Sequence, residues 1–366
     1  MKALRQLQVL FIFIGIAAVI SSCRKSDIKP KKQKTTVLTV STLAGSGAPG
    51  TTNGTGIAAS FTSPSALAIN SAGALIVGDW GSNLIREINP GTAAVTTYAG
   101  TGAQGWVNGA ALSAKFWGPA NIVIDKNGNV FVSDEQNNAI REVTSTGNVI
   151  TIAGTGVAGF QNGPISTATF NHPDGIVVDA NGDLYVADNA NNAIRKITIS
   201  TGMVSTFAGT GAVGYNNGAG AGATFHSPYG LAMDSNGDLY VADIVNNVIR
   251  KITVSTDMVS TFAGSGAQGF TNGTTATATF YYPIGLAFDS SGNLFVSDFR
   301  NNSIRKIGTD GTVSTYAGNG TQGATDAAAA SASFNQPIGL AVDAGGNVYV
   351  ADENNNKIRK ITATQQ

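Results

Sequence analysis

The chain has 366 residues, of which 46 are glycine and only 12% are charged. That glycine share is nearly twice the average, and the charged share is about half of it. With 42% apolar residues and aromatics along the whole length, disorder is excluded. Scarce Leu, Glu and Lys beside abundant Gly, Thr, Asn and Val exclude a helical bundle, and a formal net charge of zero argues against a nucleic-acid surface.

The first segment reads as an address. Lys2 and Arg5 precede an uninterrupted apolar stretch from Val9 to Ile20, followed by Ser21, Ser22 and Cys23. A basic start, a short apolar run and a small-residue site form the pattern of a secretory signal. Twelve residues of helix reach only ~18 Å, too short for a ~30 Å bilayer core. Ile20-Ser21-Ser22-Cys23 also resembles a bacterial lipobox, whose cysteine is lipidated and becomes the first mature residue; an ordinary secretory signal with an incidental cysteine is the alternative. Cys23 is the only cysteine, so no intramolecular disulfide can form. The expected division is a signal peptide over 1–22, a lipidated Cys23 with a basic tether over 23–36, and a single body over 37–366. The tether holds six basic residues and one acidic residue between Arg24 and Lys34. Such a charge would favour an anionic leaflet, and would equally suit a solvated spacer. From Thr35 onward there are 14 Lys/Arg and 21 Asp/Glu, a formal charge of −7.

The body repeats one pattern six times. Taking Phe170 to Ile197 as the template, copies begin at Phe61, Phe116, Phe225, Phe280 and Phe334, with prolines at 64, 119, 173, 228, 283 and 337. Within a copy, an apolar run over Gly175 to Asp179 meets an Asn-Gly turn at Asn181-Gly182. Strands then follow at Leu184 to Ala187, Ala193 to Ser200 and Met203 to Ala208. Four short antiparallel strands at this period form a propeller blade. The last copy ends after Ile361 with only five residues, so its fourth strand is missing. Val40 to Gly45 matches Val204 to Gly209, so the N-terminal strand is expected to complete the last blade and close the ring. The fold class is therefore all-β, a six-bladed β-propeller of four-stranded antiparallel blades.

The Pro-x-Gly-Leu/Ile-Ala-x-Asp, Gly-Asn/Asp-Leu-Tyr-Val-Ala-Asp and Asn-Asn-x-Ile-Arg-Lys-Ile stretches resemble the NHL repeat, over residues 37 to 361. The resemblance implies the propeller fold. For function it implies only a range, since NHL propellers include protein-binding, RNA-binding, sensor and enzymatic members.

Features present six times are read as scaffold. Asp79, Asp134, Asp188, Asp243, Asp298 and Asp352 each stand seven residues before an arginine, from Arg86 to Arg359. Each Asp is expected to accept backbone N–H bonds in its turn or to pair with the arginine of its blade. Asp125, Asp179, Asp234, Asp289 and Asp343, the Asn-Asn pairs, and Trp106 with Phe160, Tyr215 and Phe270 belong to the same class. The variable positions are more informative. On the usual propeller path, the loop before each proline-led strand and the loop after each Asp open onto one face around the central channel. Variation there concentrates at Trp80, Trp117, Glu135, His172, Asp174, His226, Tyr229, Tyr281, Tyr282, Phe299, Arg300 and Glu353. Aromatics beside polar groups suit a glycan or a protein ligand, although such rings also serve to pack neighbouring blades.

Enzymatic NHL propellers imply a metal centre, and two histidines in adjacent blades, one position out of register, are a poor zinc set. Asp174 and Glu135 would be the oxygen ligands of a calcium alternative. No nucleophile motif or phosphate loop is present. A body of charge −7 leaves no surface for RNA. The expectation is a monomeric, membrane-tethered, extracytoplasmic binding or scaffold propeller of the bacterial cell envelope, periplasmic or at the cell surface. It would take a glycan or protein ligand on the variable-loop face, need no cofactor, bind no nucleic acid and meet the membrane through its lipid anchor only. The alternative is a calcium- or zinc-dependent lyase or hydrolase.

Overall fold

In the computed structural model, residues 36–365 are described. The expected signal segment, Cys23 and nearly all of the basic tether lie outside them. The described chain forms six antiparallel sheets, and the proline-led strands touch one another around the ring. We number the blades 1 to 6 by those strands, which begin at Pro64, Pro119, Pro173, Pro228, Pro283 and Pro337.

Blade 3 shows how the repeat builds one sheet. Pro173–Val178 is the inner edge strand of the sheet, a place where proline at the first residue costs no ladder donor. Leu184–Asp188 is buried at every residue and pairs with Ala193–Thr198, which pairs in turn with Met203–Ala208. The first turn follows an Asx pattern, with Asp179 Oδ1 accepting from the N–H groups of Asn181 and Asp183. A short 3-10 turn over Asn189–Asn191 ends on Asn192 in the left-handed region (φ 49°), a conformation Asn tolerates well.

The blades are five-stranded rather than four-stranded. The fifth member is a two-residue strand from the preceding linker, Gly163–Pro164 in blade 3, paired with Met203 and Val204 at the outer edge. Its cause is the repeated arginine. Arg195 Nη2 donates to the Gln161 carbonyl and to Asn162 Oδ1, holding the linker against the sheet. A Gly-Pro pair carries no strand propensity, so this element leaves no mark in the sequence pattern.

The ring closes as expected. Thr36–Ala44 pairs with Lys357–Gln365, from Thr36 opposite Gln365 to Ala44 opposite Ile358. The closing ladder is longer than the repeat predicts, because the residues after Ile361 continue the strand. Thr39 and Val40 also receive the two-residue strand Ala327–Ala328, which completes the five strands of blade 6.

The core lies between blades. Phe61, Phe116, Phe170, Phe225, Phe280 and Phe334 are fully buried, as are the six repeated arginines. In blade 3, Asp188 pairs with the arginine of its blade as expected, whereas the backbone N–H it accepts comes from another loop. Its Oδ1 accepts from the Asn171 backbone N–H, in the loop before the inner strand rather than in its own turn. Its Oδ2 accepts from Arg195 Nη1 at 2.7 Å and from Asn191. Arg195 lies over the rings of Phe160 and Phe170, so the charge pair is enclosed by aromatic faces. Burial nonetheless wins over the guanidinium. The Asp79 and Asp298 carboxyls are pushed up to about 6 although each touches its arginine.

Candidate functional site

The second residue of each inner strand defines a ring of six positions at one end of the channel: Ser65, Ala120, Asp174, Tyr229, Ile284 and Ile338. These positions are close-packed because glycine follows four of them. A Cβ on Gly175, for instance, would collide with the Tyr229 carbonyl of the next blade. Below the ring the channel holds a cavity of about 220 Å³, lined by the inner strands of all six blades, including Asn121, Tyr229 and Ile284.

One side of the mouth is acidic. Glu135 begins the turn after the second strand of blade 2 and gathers three donors. Trp80 Nε1 donates to its Oε2 at 2.6 Å, Gln136 donates to its Oε1 at 2.9 Å, and His172 Nδ1 lies 2.9 Å from the same Oε1. The His172 backbone (φ 52°) is turned into this position, and its N–H donates to Asn138 Oδ1. Trp80 lies over Gly118 of the next blade, where a Cβ would meet its indole.

Asp174 is 3% exposed, and its Oδ1 has no hydrogen-bond partner among the described residues. At the same position in blade 1, Ser65 is equally buried, but its hydroxyl donates to the carbonyls of Gly78 and Pro119. Burial raises the Asp174 carboxyl well above the carboxylate range. The nearby Glu135 adds to the rise, and the Tyr229 hydroxyl beside it offsets only part. The Tyr229 hydroxyl is itself raised, by burial and then by Asp174, Glu135 and Glu353. Glu353 comes from the corresponding turn of blade 6, and burial alone pushes it up to about 7.

The other side is apolar. Ile244, Ile284 and Ile338 form a buried cluster with Tyr229, Val245, Tyr282 and Phe299 packed against it. Tyr281 and Tyr282 meet edge to face, and Arg300 lies on the rim over Phe299 (5.3 Å) and Tyr282 (5.9 Å).

The variable positions thus fall into three sets: Trp80 with Glu135 and His172; Asp174 with Tyr229; and Tyr281, Tyr282, Phe299 and Arg300, while the Glu353 side chain makes no hydrogen bond or ion pair among the described residues. Trp117 and His226 join none of them through a hydrogen bond or ring contact among the described residues. Trp117 is 40% exposed, and each of the two contributes its backbone N–H to the repeated Asp of its blade. Sequence reasoning missed Ile284 and Ile338, which read as ordinary core residues at the start of a strand; their signal was that they share the register position of Asp174 and Tyr229. Among the described residues no three His, Cys, Asp or Glu side chains come together as a group that could hold a metal ion.

A family profile described as NHL repeat matches residues 170–197, 280–307 and 334–361. The chain is 30% identical over 281 residues to Protein SUPPRESSOR OF QUENCHING 1, chloroplastic, from Arabidopsis thaliana, covering 72% of this chain and 27% of that protein. It is 27% identical over 278 residues to human NHL repeat-containing protein 2, covering 66% of this chain and 38% of the relative. The chain therefore spans well under half the length of these two relatives. Among solved structures, an auxiliary nutrient binding protein from Bacteroides ovatus superposes with a TM-score of 0.69 at 16% identity, covering 90% of this chain and 78% of that one. That likeness is one of fold. Three of the six copies match the profile directly, and the other three share their strands, turns and Asp–Arg braces; the chain is a six-bladed β-propeller built of NHL repeats.

Proposed function

We propose that this protein is a binding propeller of the bacterial cell envelope, tethered through a lipid on Cys23, that takes a glycan or protein ligand on the variable-loop face. The observation that carries the reading is Asp174, a buried carboxyl with an unpartnered oxygen, set between an acidic and an aromatic half of one channel mouth. Leaving a buried polar atom unpaired costs about 1–3 kcal/mol, and a ligand donor would recover it. The resemblance in fold to an auxiliary nutrient binding protein supports the same reading. No helix among the described residues is long and apolar enough to cross a membrane.

The metal-dependent alternative gains nothing from the geometry. His172 is engaged with Glu135, and His226 joins no acidic partner through a side-chain hydrogen bond or ion pair among the described residues. The test is a glycan array and a protein pull-down with the purified protein, repeated with Tyr282→Ala and Trp117→Ala. Tyr282→Ala should abolish capture, because its ring borders the apolar half. Capture unchanged in both variants would overturn this placement of the site. Labelling with a palmitate analogue, lost in Cys23→Ala, checks the tether.

A further inference from the structure

At the end of the ring opposite the mouth, one position breaks the repeat. In blades 3 to 6 a lysine of the third strand stands across from an aromatic residue of the second: Lys196 from Tyr185, Lys251 from Tyr240, Lys306 from Phe295 and Lys360 from Tyr349. Each ammonium lies 5.2–5.9 Å from the centre of the ring it faces. In blades 3 and 4 it also reaches the aspartates of the nearby turn. Lys196 Nζ is 3.0 Å from Asp183, and Lys251 Nζ is 2.8 Å from Asp238 and 3.8 Å from Asp234. Blade 2 keeps the aromatic residue, Phe131, and the turn aspartate, Asp125, but Glu142 stands where the lysine would be. Blade 1 also has a glutamate there, Glu87, but faces it with Ile76. An aromatic ring opposite a carboxylate therefore occurs in blade 2 alone.

Glu142 faces a cavity. It lines a space of about 430 Å³ between blades 2 and 3, with Asp125, Phe131 and Ile152 on one side and Val178 and Asp179 on the other. Glu142 is only 9% exposed, and its carboxylate makes no hydrogen bond or ion pair among the described residues. Burial, with Asp125 as the neighbouring charge, holds its carboxyl above the ordinary range. Lys126, on the rim, is exposed and makes no ion pair among the described residues. The acids do not come together as a group that could hold a metal ion among the described residues, so a bare cation is not the match. We infer that this cavity seats a lysine side chain of a partner protein, its ammonium between Glu142 and Asp125 and over Phe131, its methylene stem against Ile152 and Val178. The fold supplies the pattern in the four lysines it seats on its own rings. A point charge with three donors on an apolar stem suits acids set beside aromatic and aliphatic faces.

This seat lies at the far end of the channel from the mouth, so it stands or falls apart from the ligand proposed there. It is tested by NMR titration of the isotope-labelled full-length protein with three probes: the peptide acetyl-Gly-Lys-Gly-amide, the same peptide acetylated on the lysine Nε, and n-butylamine. The lysine peptide should shift the amide signals of Phe131, Glu142 and Asp179. Its neutral counterpart should bind about tenfold or more weakly, the scale of a charged hydrogen bond. In Glu142→Lys, which fills the seat as in blades 3 to 6, binding should be lost while the fold persists. Glu142→Gln removes the charge, keeps the space, and should weaken binding about tenfold. Should Glu142→Lys not fold, Glu142→Gln decides. No shift at these amides, equal binding of the acetylated peptide, or undiminished binding in the folded variants overturns the inference. Binding of butylamine without the peptide overturns it too, since the seat would then serve small free amines and not a partner's lysine.

Discussion

Asp188 and Asp174 lie fourteen positions apart in the same blade, both buried, and they live in opposite electrostatic circumstances. Asp188 has every oxygen engaged, by Arg195, Asn191 and the Asn171 N–H. Asp174 has an oxygen with no partner, a neighbouring carboxyl and no cation among the described residues. The arginine and the backbone N–H recur in all six blades and the Asn donor in five, and the second arrangement occurs once. A propeller therefore separates two kinds of buried acid: repetition marks the brace that holds a loop to its sheet, and singularity marks a residue the scaffold does not need.

The largest effect is expected from unpairing the brace. Arg195→Met leaves Asp188 buried without its cation and releases the linker at Gln161 and Asn162, and should cost ~3–5 kcal/mol in urea unfolding. Asp174→Asn should do the reverse, raising stability at pH 8 by about 1–3 kcal/mol, since it replaces a buried carboxyl whose ionisation burial opposes with a neutral group of the same shape. If thermal melts show both substitutions destabilising alike, the distinction between the two acids is wrong.

A third prediction concerns pH. Glu353 has a folded value of about 7, above its ordinary 4.5. A group raised on folding contributes stability that is fully present below the unfolded value and is lost as pH rises through the folded one. Melting temperature should thus fall between pH 5 and pH 8. Asp79 and Asp298, raised to about 6, add a drop of the same sign over a lower window. The difference between wild type and Glu353→Gln isolates the Glu353 share. That share is at most ~3 kcal/mol, because raising a pKa by one on folding is worth about 1.4 kcal/mol. A difference that does not vary with pH would show that Glu353 does not titrate there. The smallest effect is expected from Trp80→Phe, which removes one donor from partly buried Glu135 and should cost about 1 kcal/mol or less.

The fold was legible because the repeat states it six times, and errors in any one copy are averaged away. The closing strand was legible for the same reason, since Val40 to Gly45 repeats Val204 to Gly209. The fifth strand was not, because two residues such as Gly163–Pro164 carry neither alternation nor propensity. They are placed by Arg195, which lies three strands further along the chain. The site was half legible. Variation at Glu135, Asp174, Tyr229 and Glu353 pointed to the mouth, yet nothing local distinguishes the unpaired Asp174 from the braced Asp188. Both are single aspartates at one end of a strand. Trp117 and His226 varied as strongly as the rest, and the structure leaves their side chains outside the three contacting sets.

The closure of the ring has a consequence for how the protein comes to exist. Thr364 donates to the carbonyl of Val37, a residue 327 positions earlier. Blade 6 therefore cannot finish until the ribosome has released the final strand, however early the other five blades condense. Until then Thr36–Ala44 waits with an unpaired edge, and synthesis passes through an open crescent whose two ends are exposed to pairing with another chain. Contacts of such long range are the slow ones. The joining of first strand to last is therefore the step at which a chaperone would act, or at which two crescents would exchange ends and assemble wrongly.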